Sequence, residues 1–142
     1  MQTVIDASAL LKAYFPDEEG FGKAKEVLFL YSLGQLNLFA PSLIDYEISN
    51  AIFVAYKRKR ISFDEAKEIQ QKIVNLDIER YDLNFLKTHL LDACKKFNIS
   101  VYDASYLVLA NKLKISLITG DRKFFDAVKV ESKNVIWIGD FE

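Results

Sequence analysis

The sequence predicts an α/β protein, with a parallel twisted sheet of four to five strands and helices on both faces. Two observations lead there. Short apolar runs (Val4-Ile5, Leu38-Phe39-Ala40, Leu117-Ile118, Val135-Ile136-Trp137-Ile138) alternate with longer stretches of helical periodicity. Those runs show no outward polar alternation, so both of their faces must be covered. Right-handed crossovers then bring every strand's carboxyl end to one edge of the sheet. The 142 residues suffice for one good core, and no repeat, linker or low-complexity segment divides them. One domain over 1–142 is expected.

The first strand, Gln2 to Asp6, ends abruptly on a carboxylate and turns at Ala7-Ser8 into a helix through Ala13. Phe15 to Gly20 is a polar turn. Residues 21 to 33 have helical spacing, and Gly34 to Asn37 break the pattern before the second strand, Leu38 to Ala40. Pro41-Ser42 closes that strand and is expected to cap a long helix from Leu43 to Lys59. Ser62 and Glu65 form a capping box that opens a helix through Val74. Asp77 to Tyr81 reads as a short edge strand. Helices are expected at 84–97 and 103–113, a strand at 115–119, a short helix from Asp121 to Val128, and a last strand at 135–138.

Bulk composition narrows the function. With 51% hydrophobic residues, five Gly and two Pro, the chain is ordered and helix-rich. Its net charge of −1 provides no polycationic field, so contact with phosphate must use local cations or metal ions. The single cysteine, Cys94, excludes an internal disulfide, suits a reducing compartment, and is expected to be a small buried hydrophobe. No apolar run is long enough to span a membrane, and Met1 leads directly into the first strand, so no leader is expected. A soluble, cytoplasmic protein is expected.

The chemistry lies in the carboxylates. Asp6 ends the first strand, and Asp121 follows the strand at 115–119 one glycine later, at the same edge. Asp103 sits near the start of the helix feeding that strand, which places it at the same edge too. Glu47 lies early in the helix after the second strand, with Asn50 on its face one turn on. Each has an ordinary alternative, a helix cap for the aspartates or a solvated position for Glu47. Four acids from four distant segments meeting on one rim outweigh those alternatives. Crowded carboxylates repel one another unless a cation lies among them, and hard oxygen ligands without His or Cys suit Mg²⁺ or Mn²⁺.

The motifs Val4-Ile-Asp-Ala-Ser8, Glu47 with Asn50, Tyr102-Asp-Ala104 and Leu117-Ile-Thr-Gly-Asp-Arg-Lys-Phe124, in this order over nearly the whole chain, resemble the PIN-domain nucleases. Their plan is most similar to that of the VapC ribonuclease toxins of toxin–antitoxin pairs. The resemblance implies metal-dependent endonucleolytic cleavage of single-stranded or structured RNA. It carries the catalytic, metal-holding quartet onto Asp6, Glu47, Asp103 and Asp121, and supporting polar roles onto Ser8, Asn50 and Thr119. It also implies a small antitoxin partner. Gly120 falls where the family tolerates many residues. Asp126 is a possible outer acid, better read as a solvated helix residue. Water attacking phosphorus in line would expel the 3′-oxygen and leave a 5′-phosphate.

For holding RNA, the basic run Lys57-Arg58-Lys59-Arg60 and the pair Arg122-Lys123 are the candidates, the run having a solvated helix end as its alternative. His89, the only histidine, lies mid-helix away from the rim and supports no histidine mechanism; Trp137 reads as core. The competing reading is a PIN-like scaffold that binds RNA or protein without cutting, which four intact acids disfavour. A receiver-like phosphoacceptor domain would need a second acid beside the first strand and a lysine closing a late strand, and has neither. Finally, Val27 to Tyr31 and Ile52 to Tyr56 are apolar all round their helices. Either the two helices bury their outer sides against each other, or those sides serve a homodimer or an antitoxin.

Overall fold

The computed structural model describes residues 1–142, the side chain of Phe85 excepted. Val4 and Ile5 seed the sheet: both are buried, and so are Leu117 and Ile118 beside them. Each such side chain contributes roughly 1.5–3 kcal/mol by leaving water. β1 (Gln2–Ile5) is central, flanked by β2 (Asn37–Pro41) and β4 (Ser116–Thr119), with β3 (Glu79–Tyr81) and β5 (Val135–Trp137) at the edges. The order is β3-β2-β1-β4-β5 and every pairing is parallel. Val4 aligns with Phe39 on one side and Leu117 on the other. The expected parallel sheet is present, with five strands, and 77–81 does supply an edge strand.

Seven helices cover it: α1 (Ala7–Lys12), α2 (Phe21–Ser32), α3 (Ile44–Lys57), α4 (Phe63–Val74), α5 (Lys87–Phe97), α6 (Val101–Leu113) and α7 (Arg122–Val128). The chain travels outward from β1 through β2 to β3, then crosses back to β4 and out to β5. Reversing direction with right-handed crossovers puts α1–α4 on one face and α5–α7 on the other. α6 is the central helix of its face, packed on β1, β2 and β4, and every residue from Ala104 to Ala110 is buried. The reversal also leaves a crevice at the carboxyl ends of β1 and β4, the switch point where α/β sheets bind ligands.

Local boundaries differ from expectation where a tertiary partner intervenes. Ser42 does not cap α3: its hydroxyl and its N–H both go to the carbonyl of Tyr81, at 3.1 and 2.9 Å, tying α3 to the edge strand. The helix expected from Asn84 begins as a 3-10 turn, Leu83–Phe85, capped by Asp82, and α5 starts only at Lys87. Ser100 starts α6 at Val101, two residues early, by accepting from the Asp103 N–H. The Ser62–Glu65 capping box forms in full. α2 and α3 do not bury their outer sides against each other: Phe29 is 61% and Phe53 51% exposed. Cys94 is a free thiol, partly exposed against the core rather than within it.

Candidate active site

Asp6 follows β1 and caps α1, so its cap role and its place at the rim coincide. It is almost wholly buried. Its Oδ1 accepts the Ser8 hydroxyl at 2.6 Å and the Ala9 N–H at 2.8 Å, with the Gly120 N–H at 3.4 Å. The Thr119 hydroxyl donates to Oδ2. Each of those hydroxyls in turn accepts from the β4–α7 turn, Ser8 from Gly120 N–H at 2.9 Å and Thr119 from Asp121 N–H at 3.0 Å. The ends of β1 and β4 are thus tied through one carboxylate. Burial raises the Asp6 pKa above the usual carboxylate range, and these donors oppose the rise.

Asp121 caps α7 through Oδ1, which accepts the Phe124 N–H at 3.1 Å. Glu47 is half-buried on the first turn of α3. Its Oε1 accepts the Tyr106 hydroxyl at 2.6 Å, and burial and the Asp6 charge both raise its pKa. Asp103 is relieved of capping by Ser100. Burial pushes its carboxyl up to about 6, and the charges of Asp121, Asp6 and Glu47 add to the rise. Asp103 therefore feels all three other acids, so the four expected carboxylates do share one rim. Asn50 is exposed one turn beyond Glu47 and makes no side-chain hydrogen bond to them. Asp126 pairs with Lys129 at 2.8 Å on the exposed side of α7.

No Lys or Arg pairs with any of the four acids among the described residues. Nor do any three His, Cys, Asp or Glu side chains close into a ready metal cage. Asp6 spends its oxygens on hydrogen bonds from Ser8, Ala9, Thr119 and Gly120. The donor set, carboxylates with uncompensated charge and no nitrogen or sulfur, fits a hard divalent cation. Asp103, Asp121 and Lys123 line a hollow of ≈ 280 Å³. Larger hollows of ≈ 520 and ≈ 500 Å³ lie at the opposite edge of the sheet and along α5–α6. The acids converge at the smaller hollow, at the carboxyl edge of the sheet, and not at either larger one.

The basic residues separate. Arg60 is held by Asp17 at 3.1 Å and Glu18 at 3.4 Å and lies over the Phe15 ring, 4.8 Å from its centroid. Arg122 stacks on buried Trp137 at 3.6 Å. Lys57 lies over Phe53 at 5.8 Å, and Arg58 and Lys59 are exposed. His89 is exposed on α5, away from the rim.

Two residues of the site escape sequence reasoning. Tyr106 looks like one more apolar residue of α6, yet its hydroxyl holds Glu47; its only signal is a polar tip three residues after Asp103. Gly120 looked unconstrained, but a Cβ there would meet Ala9 N and Ser8 C, both at 2.8 Å. The turn closes so tightly on α1 that only glycine fits without a shift.

The family model for the PIN domain matches residues 3–130. The chain belongs to the PIN-domain family. Among PIN relatives, a VapC ribonuclease of Mycobacterium bovis is 30% identical over 123 residues, covering 87% of this chain and 88% of that one. Ribonuclease VapC3 of Pyrobaculum aerophilum is 30% identical over 131 residues, 87% of this chain and 92% of that one. The crystal structure of PAE2754 from P. aerophilum superposes with a TM-score of 0.68 at 21% identity, over 97% of this chain and 92% of that one. VapBC2 from Rickettsia felis, bound to a DNA fragment from its promoter, gives 0.60 at 14% identity, over 96% and 97%. Both structures share the PIN fold.

Proposed function

We propose that this chain is a divalent-metal-dependent endoribonuclease and the toxin of a cytoplasmic toxin–antitoxin pair. The observation that carries the reading is the convergence of Asp6, Glu47, Asp103 and Asp121 with no cation paired to them. The names of the 30%-identical relatives, ribonucleases all, support the substrate class.

Asp6, Glu47, Asp103 and Asp121 would hold the ion. Bound there, Mg²⁺ or Mn²⁺ would neutralise charge developing on the phosphate and acidify an attacking water. The protein's own groups supply position. Ser8, Ala9 and Thr119 fix the Asp6 carboxylate from three sides, and Tyr106 orients Glu47, so little reorganisation is needed when substrate arrives. Asn50, one turn beyond Glu47, would serve as a supporting polar group, and Lys123, which lines the hollow with Asp103 and Asp121, would meet a substrate phosphate. Arg58 and Lys59 are free to do so, whereas Arg60 and Arg122 first hold the fold. The exposed faces at Phe29 and Phe53 serve partners, a second copy and a small antitoxin protein.

The test is cleavage of RNA by the purified chain in Mg²⁺ or Mn²⁺, abolished by EDTA. Asp6→Asn, Glu47→Gln, Asp103→Asn and Asp121→Asn should each slow it by on the order of 10²-fold or more. Undiminished cutting in EDTA, by a preparation free of other nucleases, refutes metal dependence. A folded variant that cuts at the parent rate removes that residue from the site.

A further inference from the structure

A rim of four carboxylates repels an RNA backbone, and a net charge of −1 sets up no compensating field. The nearby arginines are engaged, Arg60 by Asp17 and Glu18 and Arg122 by Trp137. Lys123 is the one cation lining the hollow with Asp103 and Asp121. Beyond Lys123 and the exposed Arg58 and Lys59, retention of substrate at this rim therefore gains from contacts that do not depend on phosphate charge.

Two tyrosines offer them. Tyr46 immediately precedes Glu47 on the first turn of α3 and is 82% exposed; Tyr102 immediately precedes Asp103 on the first turn of α6 and is 62% exposed. Among the described residues neither ring pairs with another aromatic or carries a cation above it, and neither hydroxyl makes a hydrogen bond. The exposed aromatics of α3 and α4 differ. Phe53, Tyr56 and Phe63 stack on one another with centroids 6.1 and 5.3 Å apart, and Lys57 and Lys67 lie over Phe53 and Phe63. Because the Tyr106 hydroxyl of α6 donates to Glu47 of α3 at 2.6 Å, the early turns of the two helices adjoin at one rim. Two bare, unpartnered rings thus stand beside two of its acids.

We propose that Tyr46 and Tyr102 are stacking platforms that hold unpaired RNA bases beside the acidic rim. The proposal rests on the ribonuclease reading and narrows its substrate. A duplex keeps its base faces inside its own stack, so only a single-stranded segment can use both rings. Stacking on an aromatic ring is insensitive to phosphate charge and tolerant of base identity. The platforms select for unpaired bases rather than for a sequence, while Lys123 takes a backbone phosphate.

The experiment measures binding by fluorescence anisotropy, using a fluorescein-labelled single strand of about 12 nucleotides. The parent is Asp121→Asn, which prevents turnover and keeps a good helix cap. Tyr46→Leu and Tyr102→Leu should each weaken binding about tenfold, the ~1.4 kcal/mol of one stacked base. Tyr→Phe at either position should keep the parent's affinity. A strand of equal length lacking bases should bind the Leu variants and the parent alike. Leu variants that melt with the parent and bind the intact strand equally well overturn the proposal. So does an equal loss for the baseless strand, or a loss that tracks dissociation of a dimer in light scattering. The ribonuclease reading fails on a separate result: the wild-type chain leaving RNA intact in Mg²⁺.

Discussion

Replacing Asp103 by asparagine should stabilise the protein when no divalent cation is present. The folded protein raises the Asp103 carboxyl from 3.8 to about 6, first by burial and then through Asp121, Asp6 and Glu47. At about 1.36 kcal/mol per tenfold change in proton affinity, that rise corresponds to ~3 kcal/mol of penalty on the ionised form. Asp103 is only half-buried, so solvent screening reduces the figure to on the order of 1 kcal/mol. The sign is fixed by linkage. A carboxyl whose pKa is raised on folding favours the folded state below its unfolded pKa, and that advantage is lost as pH rises from about 4 through about 6. At pH 7.5 the wild type bears the full penalty and an isosteric amide bears none. Thermal unfolding in EDTA at pH 7.5 should place Asp103→Asn about 2–4 °C above wild type. The gap should shrink at pH 5, where Asp103 is already largely protonated in the folded state. Saturating Mg²⁺ should stabilise the wild type more than the variant and narrow the gap from the other side. A variant that melts at or below wild type at pH 7.5 in EDTA would refute the crowding of these charges. So would a gap independent of pH.

Other perturbations test the scaffold around the rim. Thr119→Val removes the hydroxyl that donates to buried Asp6 and leaves the Asp121 N–H without its acceptor, so it should cost about 1.5–3 kcal/mol in urea unfolding; a change within 0.5 kcal/mol would show that hydrogen bond to be dispensable. Gly120→Ala forces a Cβ against the backbone of Ser8 and Ala9 and should cost about 1–3 kcal/mol while also slowing cleavage; full stability and full activity together would mean the turn can give way. Neutralising Arg58, Lys59 and Lys123 together should flatten the salt dependence of RNA binding, by a slope of ~0.7 for each cation that meets a single strand; an unchanged slope would return them to solvent. Changing Phe29 and Phe53 to Ser should reduce self-association in light scattering, and a wild-type chain that is already monomeric at tens of micromolar would refute the dimer.

The sheet and the acids were legible because both are written locally. A strand that stops on Asp6, or one glycine before Asp121, announces where its carboxyl end points. The early turns of α3 and α6 then fix Glu47 and Asp103 by crossover geometry alone. What escaped depends on partners far along the chain. Tyr106 reaches Glu47 across 59 residues, and nothing in the run Ala104 to Ala110 distinguishes its ring from ordinary core. Arg60 reads as part of an open basic run until the turn at Asp17 and Glu18, 43 and 42 residues earlier, folds onto it. Ser42 has the composition of a helix cap, but the Tyr81 carbonyl competes for its hydroxyl and wins. Gly120 is restrictive only because α1 packs against it.

The bond from Thr119 to Asp6 spans 113 residues. It bears on the order in which a ribosome makes this chain. Asp6 is synthesised well over a hundred residues before the strand that seats beside it, which the fourth acid follows directly. A nascent or prematurely terminated chain can hold its first acid, its third acid and most of its helices, and still lack the groups that orient the carboxylate at the centre. A competent site therefore waits for β4 and the turn behind it, and arrives with them in one step.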